Sequence, residues 1–371
     1  MGHRRPGPCP ARGPLEVRIP VSKICDCFFV QPSVLEHIIR TGTAEQRELA
    51  MEALSRDHSI RTVRLQNALL TTNFVRFRPR PLLEPIGGAL TRTIYDAEQS
   101  EDADATHVVR AEAGKEVEDP AVNEAYDGLG ATFKFYWDVY KRNSIDDRGM
   151  KLDGVVHYGS KYDNAFWNSA RMVFGDGDGE FLTRTTQGLD VIGHELTHGV
   201  TERTANLAYT GQSGALNESI SDVIGSLVKQ YAMGQTADKA DWLIGDKIIG
   251  KGLHGKALRS MAKPGTAFDG DNQPAHMKDY VRTASDNGGV HRNSGIPNCA
   301  FYNVAMAIGG HAWQKAGLVW YESLRDPRLT PSSGFHMFAR ITVRTAQQHF
   351  GSGAELKAVR EGWEAVGIEV S

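Results

Sequence analysis

Apolar residues recur every three or four positions over residues 32–56 and again from residue 186 to the end of the chain. This period indicates amphipathic helices in both stretches. Over residues 94–186 the pattern changes to short apolar runs, such as 155–158 and 172–174, separated by polar turns, which is typical of strands. We therefore predict an α+β protein in which a β-containing half precedes an α-helical half, with a cleft between them.

Two stretches near the N-terminus follow neither pattern. Residues 1–23 are rich in Pro, Gly and Arg, a composition that predicts disorder. The run RFRPRP at residues 76–81 predicts an exposed linker that proteases can reach. We therefore divide the chain at this linker into a first part, residues 1–80, which includes the disordered stretch, and a body over residues 81–371.

Composition narrows the class of protein. At about 150 residues per domain, 371 residues predict two or three domains. The chain is 40% hydrophobic and 23% charged with a net charge of −3, which excludes a wholly disordered chain, collagen, a coiled coil and a whole-chain nucleic-acid binder. No window has the roughly 18 consecutive apolar residues of a membrane span. The first 30 residues lack the apolar stretch of a standard secretory signal, so we expect export by an unrecognised route or retention in the cytoplasm.

Charge and cysteine are unevenly distributed. Residues 1–80 contain 13 Lys and Arg against 7 Asp and Glu, a net charge of +6, which leaves −9 for residues 81–371. Since opposite charges attract, the basic part either docks on the acidic body or remains a separate tail. Three cysteines precede residue 28 and only Cys299 follows, so the body has no internal disulfide.

The segment 189–200 combines helical periodicity with two histidines. His194 and His198 lie four residues apart, about 40° around a helix axis, so both rings can bind one metal ion. Glu195 beside them is then a general base. The alternative is a pair of histidines satisfied in a core. The helix is predicted to be buried because an apolar stripe runs along it: Leu189, Ile192, Leu196 and Val200.

A second predicted helix, residues 217–224, contains two acidic residues that can complete a metal site with the two histidines. Glu218 and Asp222 share one face of it among core-like neighbours. Buried carboxylates are unfavourable unless they bind metal or accept hydrogen bonds. We interpret Glu218 as the third metal ligand and Asp222, with Asn217, as an acceptor of hydrogen bonds from the ligand histidines.

From Ile94 to the C-terminus the chain resembles the thermolysin-like metallopeptidases. Nineteen residues separate His198 from Glu218, as in that family, whereas the related zinc aminopeptidases have eighteen and a GAMEN-type motif that this chain lacks. Further segments resemble the family's substrate-backbone strand, its carbonyl-binding arginine, its catalytic-histidine loop and its catalytic tyrosine. These are DNAFWN (163–168), LRSM (258–261), DNGGVH (286–291) and Tyr209.

The resemblance implies a fold and a mechanism. It implies two lobes, 81–205 and 206–371, with a zinc ion held by His194, His198 and Glu218 in the cleft between them. Glu195 would be the base that activates water. Tyr209 and His291 would stabilise the oxyanion, with Asp286 orienting His291. Taken alone, the tyrosine could be a half-buried aromatic and the histidine a capped loop residue.

The resemblance also implies the substrate contacts. Asn164 and Ala165 would pair with substrate backbone, and Arg259 would bind the carbonyl beyond the scissile bond. The pocket for the next side chain would be apolar, so we expect cleavage before Leu, Phe, Ile or similar residues. Its walls would include Leu182, Val191, Ile244 and Leu258.

A calcium pair is a point of departure from the family. Asp190, Asp241 and Asp246 match three of the acids that hold two calcium ions in thermolysin. Lys229 and Leu243 replace two others. An ammonium group is a poor neighbour for divalent ions, so we expect one calcium ion there or none.

The first part of the chain resembles the short prosegment of the protealysin-like branch. The resemblance lies in CFFVQPSVL from Cys27 onward, with departures at Gln31 and Ser33. It implies a monomeric proenzyme whose residues 1–80 are a disordered tail and an inhibitory prosegment, removed by cleavage near residues 74–85. Cys27, or Cys25, would bind the zinc in place of water, or else Cys27 is a buried apolar residue. We expect peptide or protein substrates and no nucleic acid or membrane partner.

Two other classes of function fit less well. A serine hydrolase would need G-x-S-x-G, and the nearest string, GQSG at residues 211–214, is one residue short. A binding protein that kept only the fold would be expected to lose Glu195, Tyr209 or His291, and all three are present.

Overall fold

A mixed six-stranded sheet forms the first half of the molecule. The structure, a computed structural model, describes residues 27–55 and 88–370, and for Cys27 only the backbone. The spatial order of the strands is β1-β5-β6-β4-β2-β3, with β2, β4 and β6 parallel to one another and the other pairs antiparallel. The strands are β1 (Cys27–Phe28), β2 (Arg92–Asp96), β3 (His107–Ala111), β4 (Leu152–Val156), β5 (Ala165–Trp167) and β6 (Arg171–Phe174).

Helices dominate the second half, as the periodicity predicted. A small antiparallel pair of strands, β7 (Leu243–Ile244) and β8 (Arg259–Ser260), interrupts the run of helices along the chain. The helices are α1 (Pro32–Thr41), α2 (44–55), α3 (Pro120–Tyr140), α4 (Leu189–Glu202), α5 (Gly211–Met233), α6 (Asp286–Asn293), α7 (Gly295–Ile308), α8 (Ala316–Leu324), α9 (Phe335–Phe350) and α10 (Ala354–Glu364). The α+β prediction is confirmed.

Two glycines bring α4 and α5 together. A Cβ atom on Gly193 would lie 3.1 Å from the Cα atom of Gly225, and one on Gly225 would collide with the backbone oxygen of Asp190. The helices therefore pack almost backbone to backbone. Since His194 and His198 lie on α4 and Glu218 lies on α5, this close approach brings the three predicted ligands within reach of one another.

The 21-residue helix α3 was not predicted from the sequence. Asp119 caps it by accepting a hydrogen bond from Ala121 N at 2.8 Å, and Pro120 occupies its first turn, where no backbone donor is needed. The helix packs against β2, β4 and α4. It is buried on several faces, so its apolar residues do not form the single stripe that reveals an amphipathic helix.

The N-terminal segment is folded onto the body. Helix α1 buries Val34, Leu35 and Ile38, and α2 buries Ala50 and Ala53. These are positions of the predicted apolar faces, so the helices expected over residues 32–56 are confirmed as far as residue 55. In the described part of the chain, no helix is both long and apolar enough to cross a membrane.

Candidate metal centre and peptide cleft

Three buried side chains converge between α4 and α5. The Nε2 atoms of His194 and His198 lie 2.9 Å apart, and each lies 3.5 Å from an oxygen of Glu218. All three side chains are at most 1% exposed. The structure thus brings together the three residues predicted as ligands.

The outer nitrogens of both rings have acceptors. His194 Nδ1 lies 2.8 Å from Asp222 Oδ1, and His198 Nδ1 lies 2.8 Å from Asn217 Oδ1. Each Nδ1 therefore carries the proton, which leaves two Nε2 lone pairs facing each other beside a carboxylate. Burial and the neighbouring His194 hold the pKa of His198 well below its usual range, so it is neutral. A cation between these atoms removes the repulsion, and two imidazoles with one carboxylate are a fitting ligand set for zinc.

Glu195 points from α4 toward the edge of the sheet. Its Oε2 accepts a hydrogen bond from the backbone N–H of Trp167 at 2.9 Å, and the side chain is fully buried. Ligand atoms of Glu195, His194 and His198 all lie within 4.8 Å of one another. A carboxylate held beside the metal ligands is placed to accept a proton.

A tyrosine and a histidine lie on the far side of Glu218. The hydroxyl of Tyr209 hydrogen-bonds to Glu218 and lies 3.2 Å from His291 Nε2. Asp286 accepts from the backbone N–H of His291 at 2.9 Å and lies 2.6 Å from its Nδ1. This orientation of the ring depends on left-handed backbone at residues 287–289, where two of the three residues are glycine.

Asp222 also contacts Arg259, the residue predicted to bind a substrate carbonyl. The Arg259 guanidinium donates to both of its oxygens, at 2.8 and 2.9 Å. Burial raises the pKa of Asp222, but Arg259 and His194 lower it by more, so this pKa lies below its usual range. Asn298, which the sequence did not single out, donates its side-chain N–H to the same carboxylate at 2.8 Å.

The residues after Cys27 lie in the cleft beside these side chains. Strand β1 pairs antiparallel with β5, and Phe29 N–H donates to Ala165 O at 3.1 Å. Val30 N–H donates to the side-chain oxygen of Asn164 at 2.8 Å. An extended peptide thus occupies the cleft by adding a strand to the sheet.

The ring of Phe29 fills an apolar pocket. It meets the ring of His194 edge-on at 5.0 Å, and the guanidinium carbon of Arg259 lies 4.6 Å from its centroid. A Cβ on Gly245 would lie 3.2 Å from the ring and 3.1 Å from Leu258, so the pocket ends at a glycine. The predicted pocket residues are all fully buried in the same core as Phe29: Leu182, Val191, Ile244 and Leu258.

Comparison with known proteins decides which family has this geometry. The family model described as "Thermolysin metallopeptidase, catalytic domain" matches residues 43–202, and "Thermolysin metallopeptidase, alpha-helical domain" matches residues 205–368. The chain belongs to the thermolysin metallopeptidase family. Its fold and site are therefore those of a zinc metalloprotease.

Individual relatives support the family and indicate a precursor. An extracellular metalloprotease of Pectobacterium carotovorum subsp. carotovorum is 48% identical over 349 residues, which cover 93% of this chain and 97% of the relative. Thermolysin of Alicyclobacillus acidocaldarius subsp. acidocaldarius is 40% identical over 67% of this chain and 46% of its own. The solved precursor of protealysin from Serratia proteamaculans is 48% identical, with a TM-score of 0.81 over 92% of this chain and 99% of that one. The chain is thus a precursor form of a thermolysin-family enzyme.

Among the aspartates predicted as calcium ligands the structure places an ammonium group. Lys229 Nζ lies 3.2 Å from Asp190, 3.1 Å from Asp241 and 3.0 Å from Asp246, and donates to Leu243 O at 2.8 Å. Burial lowers the pKa of Lys229, but the three carboxylates raise it by more, so the group is charged. The predicted calcium residues are brought together around this ammonium group.

The predicted zinc-binding cysteine is only partly described. The backbone of Cys27 pairs with Trp167 at the start of β1, while its side chain and all of Cys25 lie outside the described residues. The disordered tail and the cleavage region near residues 74–85 lie outside them as well. Zinc binding by Cys27 stays a prediction.

Proposed function

We propose that this thermolysin-family chain is the proenzyme of a zinc endopeptidase that cleaves on the amino side of bulky hydrophobic residues. The observation that carries the proposal is the segment at residues 28–30, which begins in β1. It lies in the cleft with its backbone bonded to β5 and with one aromatic ring in the pocket beside His194. A cleft that holds an extended peptide in this way is suited to peptide substrates.

His194, His198 and Glu218 would hold the zinc, which supplies a Lewis acid that polarises a carbonyl and lowers the pKa of water. Glu195 accepts the proton of the attacking water and delivers it to the leaving nitrogen. Its bond from Trp167 N fixes the carboxylate at the edge of the strand that binds the peptide.

Tyr209 and His291 stabilise the negative charge that develops on the carbonyl oxygen. His291 Nε2 already lies 2.8 Å from a peptide oxygen, that of Phe28. Asp286 holds the ring in this orientation. Arg259 donates to the next carbonyl along the peptide, Phe29 O, at 2.8 Å.

The preference for bulky apolar side chains follows from the pocket around Phe29. Fully burying a phenylalanine side chain contributes about 1.5–3 kcal/mol, whereas a charged side chain there would lose its water without a partner. Leu258 and Gly245 lie at the Phe29 ring and form part of this pocket.

The prosegment inhibits the enzyme by occupying the same cleft. Phe28, Phe29 and Val30 are fully buried, so a substrate cannot reach β5 while they remain in place. Residues 1–80 as inhibitory segment and 81–205 and 206–371 as the two lobes are part of this proposal.

The test combines Glu195→Gln with a peptide series that differs only after the scissile bond. The chain is first cut by trypsin within residues 56–87, which contain six arginines, and the trypsin is then inhibited. We expect hydrolysis before Leu, Phe and Ile and little before Asp. Glu195→Gln should lower kcat by about 10²–10⁴-fold, with zinc still bound at one ion per chain. Undiminished hydrolysis by the zinc-loaded variant would refute the mechanism.

A further inference from the structure

The N-terminal strand lies in the cleft in the register of a substrate. We propose that the Phe28–Phe29 peptide bond is itself cut by this active site, within the same molecule. The proposal rests on the proposed function, because it uses the same catalytic groups. It assigns a self-cleavage site inside the segment that covers the cleft, distinct from the linker near residues 74–85.

Four consecutive backbone groups fix the register. Phe28 O lies 2.8 Å from His291 Nε2, Phe29 N–H donates to Ala165 O, and Phe29 O accepts from Arg259. Val30 N–H then donates to Asn164. The carbonyl at the oxyanion groups is that of Phe28, and the bond that follows it is Phe28–Phe29.

His291, which contacts the reacting carbonyl, lies beside a predicted metal ligand. His291 Nε2 is 3.6 Å from a Glu218 oxygen and 3.2 Å from the Tyr209 hydroxyl. The side chain that follows the bond, Phe29, packs on His194. The groups on both sides of this bond therefore contact residues of the site.

Packing on both sides holds the bond in place. Phe28 and Phe29 are both fully buried. Phe28 packs on Phe166 at 5.6 Å between ring centroids, within an aromatic cluster that includes Tyr158 and Tyr162. A bond fixed in near-attack geometry reacts as in a unimolecular step.

The reaction is a hydrolysis and needs water alone as co-reactant. Water adds to the carbonyl carbon of Phe28, and Glu195 takes its proton. The bond between that carbon and the nitrogen of Phe29 breaks as Glu195 returns the proton to the nitrogen. The products are a carboxylate on Phe28 and a new amino terminus at Phe29, with α1 and α2 still joined to the rest of the chain.

Intact-mass analysis of the full chain tests the proposal. Metal-free protein is given zinc and followed over time at two protein concentrations. We expect loss of the first 28 residues, with a half-time independent of concentration. Phe29→Leu should keep the cut, Phe29→Asp should lose it because a carboxylate does not enter the apolar pocket, and Glu195→Gln should show none.

The contrary outcomes separate the two proposals. If the trypsin-treated chain hydrolyses peptides while the bond in the untreated chain stays intact, the self-cleavage proposal fails and the peptidase function stands. If the zinc-loaded, trypsin-treated chain hydrolyses no peptide, the proposed function fails. A cut that accelerates with concentration, or one that persists in Glu195→Gln, assigns the reaction to another molecule and overturns the proposal.

Discussion

The side-chain amide of Asn298 donates a 2.8 Å hydrogen bond to the carboxylate of Asp222. Both residues are fully buried, and Asn298 belongs to α7, which carries none of the predicted site residues. Asp222 in turn contacts His194 on one side and Arg259 on the other. The amide thus orients a carboxylate shared by a predicted metal ligand and by the arginine predicted to bind substrate.

We predict that Asn298→Leu weakens zinc binding and raises KM together. With one donor fewer, Asp222 can turn away from His194 or Arg259, and loss of such outer partners typically costs about 10–100-fold in metal affinity or activity. Zinc titration and KM for a peptide measure the two effects. Asn303→Leu, on the same helix but in contact with Cys299, is the control. A lower melting temperature with both parameters unchanged would show that Asn298 is only structural.

Lys229 should make stability independent of calcium. Its ammonium already lies among the three aspartates, so neither millimolar calcium nor a calcium chelator should shift the melting temperature of the wild type. Two tightly bound calcium ions detected by calorimetry would contradict this.

Removing the ammonium should be strongly destabilising. Lys229→Met removes the ammonium partner of the buried Asp190 carboxylate and should lower the free energy of unfolding by on the order of 3 kcal/mol. The control is Lys247→Met, since Lys247 contacts Asp246 from an exposed position, and such pairs contribute about 0–1 kcal/mol. Addition of calcium should restore part of the stability of Lys229→Ser, which leaves room for the ion. Equal losses for the two methionine variants would refute the argument.

His157 should make the fold sensitive to alkaline pH. It lies 2.8 Å from Asp176 and 2.7 Å from Asp119, the cap of α3. The hydrogen bond to Asp176, followed by that to Asp119, raises the pKa of His157 to about 9, although burial acts the other way. The unfolded value is about 6.5, so this contribution to stability is complete below pH 6.5 and is lost as the pH rises through 9.

Chemical denaturation between pH 6 and 10 measures this loss. His157→Gln should be less stable than the wild type at pH 6 and should flatten the decline toward pH 10. His107→Gln, which removes an exposed histidine paired with Glu98, should leave the decline unchanged. A wild-type decline that persists in His157→Gln would assign it to other groups.

Cys27→Ser separates the two explanations of latency. The Phe28 carbonyl and the Phe29 ring already lie against His291 and His194. We therefore expect the variant to remain as inactive as the parent as long as neither has been treated with trypsin. Peptide hydrolysis by both, before and after trypsin treatment, is the measurement. An active uncut variant would show instead that the thiol is the zinc ligand that the sequence suggested.

Local spacing explains why part of the site could be predicted. Two histidines four residues apart on a helix must share a face, and Glu218 is a buried acid on the next predicted helix. Asn298 could not be found in this way, because it lies 76 positions after Asp222. Its role depends on how α7 packs on α5.

Other features escaped prediction for a similar reason. Helix α3 is buried on several faces and has no clear apolar stripe. The sequence indicated which residues replace the calcium ligands, yet only the fold shows that the Lys229 ammonium lies among the three aspartates. The register of Phe28 and Phe29 is set by pairing with residues more than 130 positions away.

Strand β1 has a consequence that is separate from inhibition. In the described sheet it lies at the end of the order, next to β5. Without it, β5 presents unpaired backbone groups, and a free sheet edge is a template for association with another chain. By the proposed function, the residues that cover the cleft would therefore also shield this edge in the precursor, and their removal would leave β5 free to pair with another chain at the place where substrates are expected to bind.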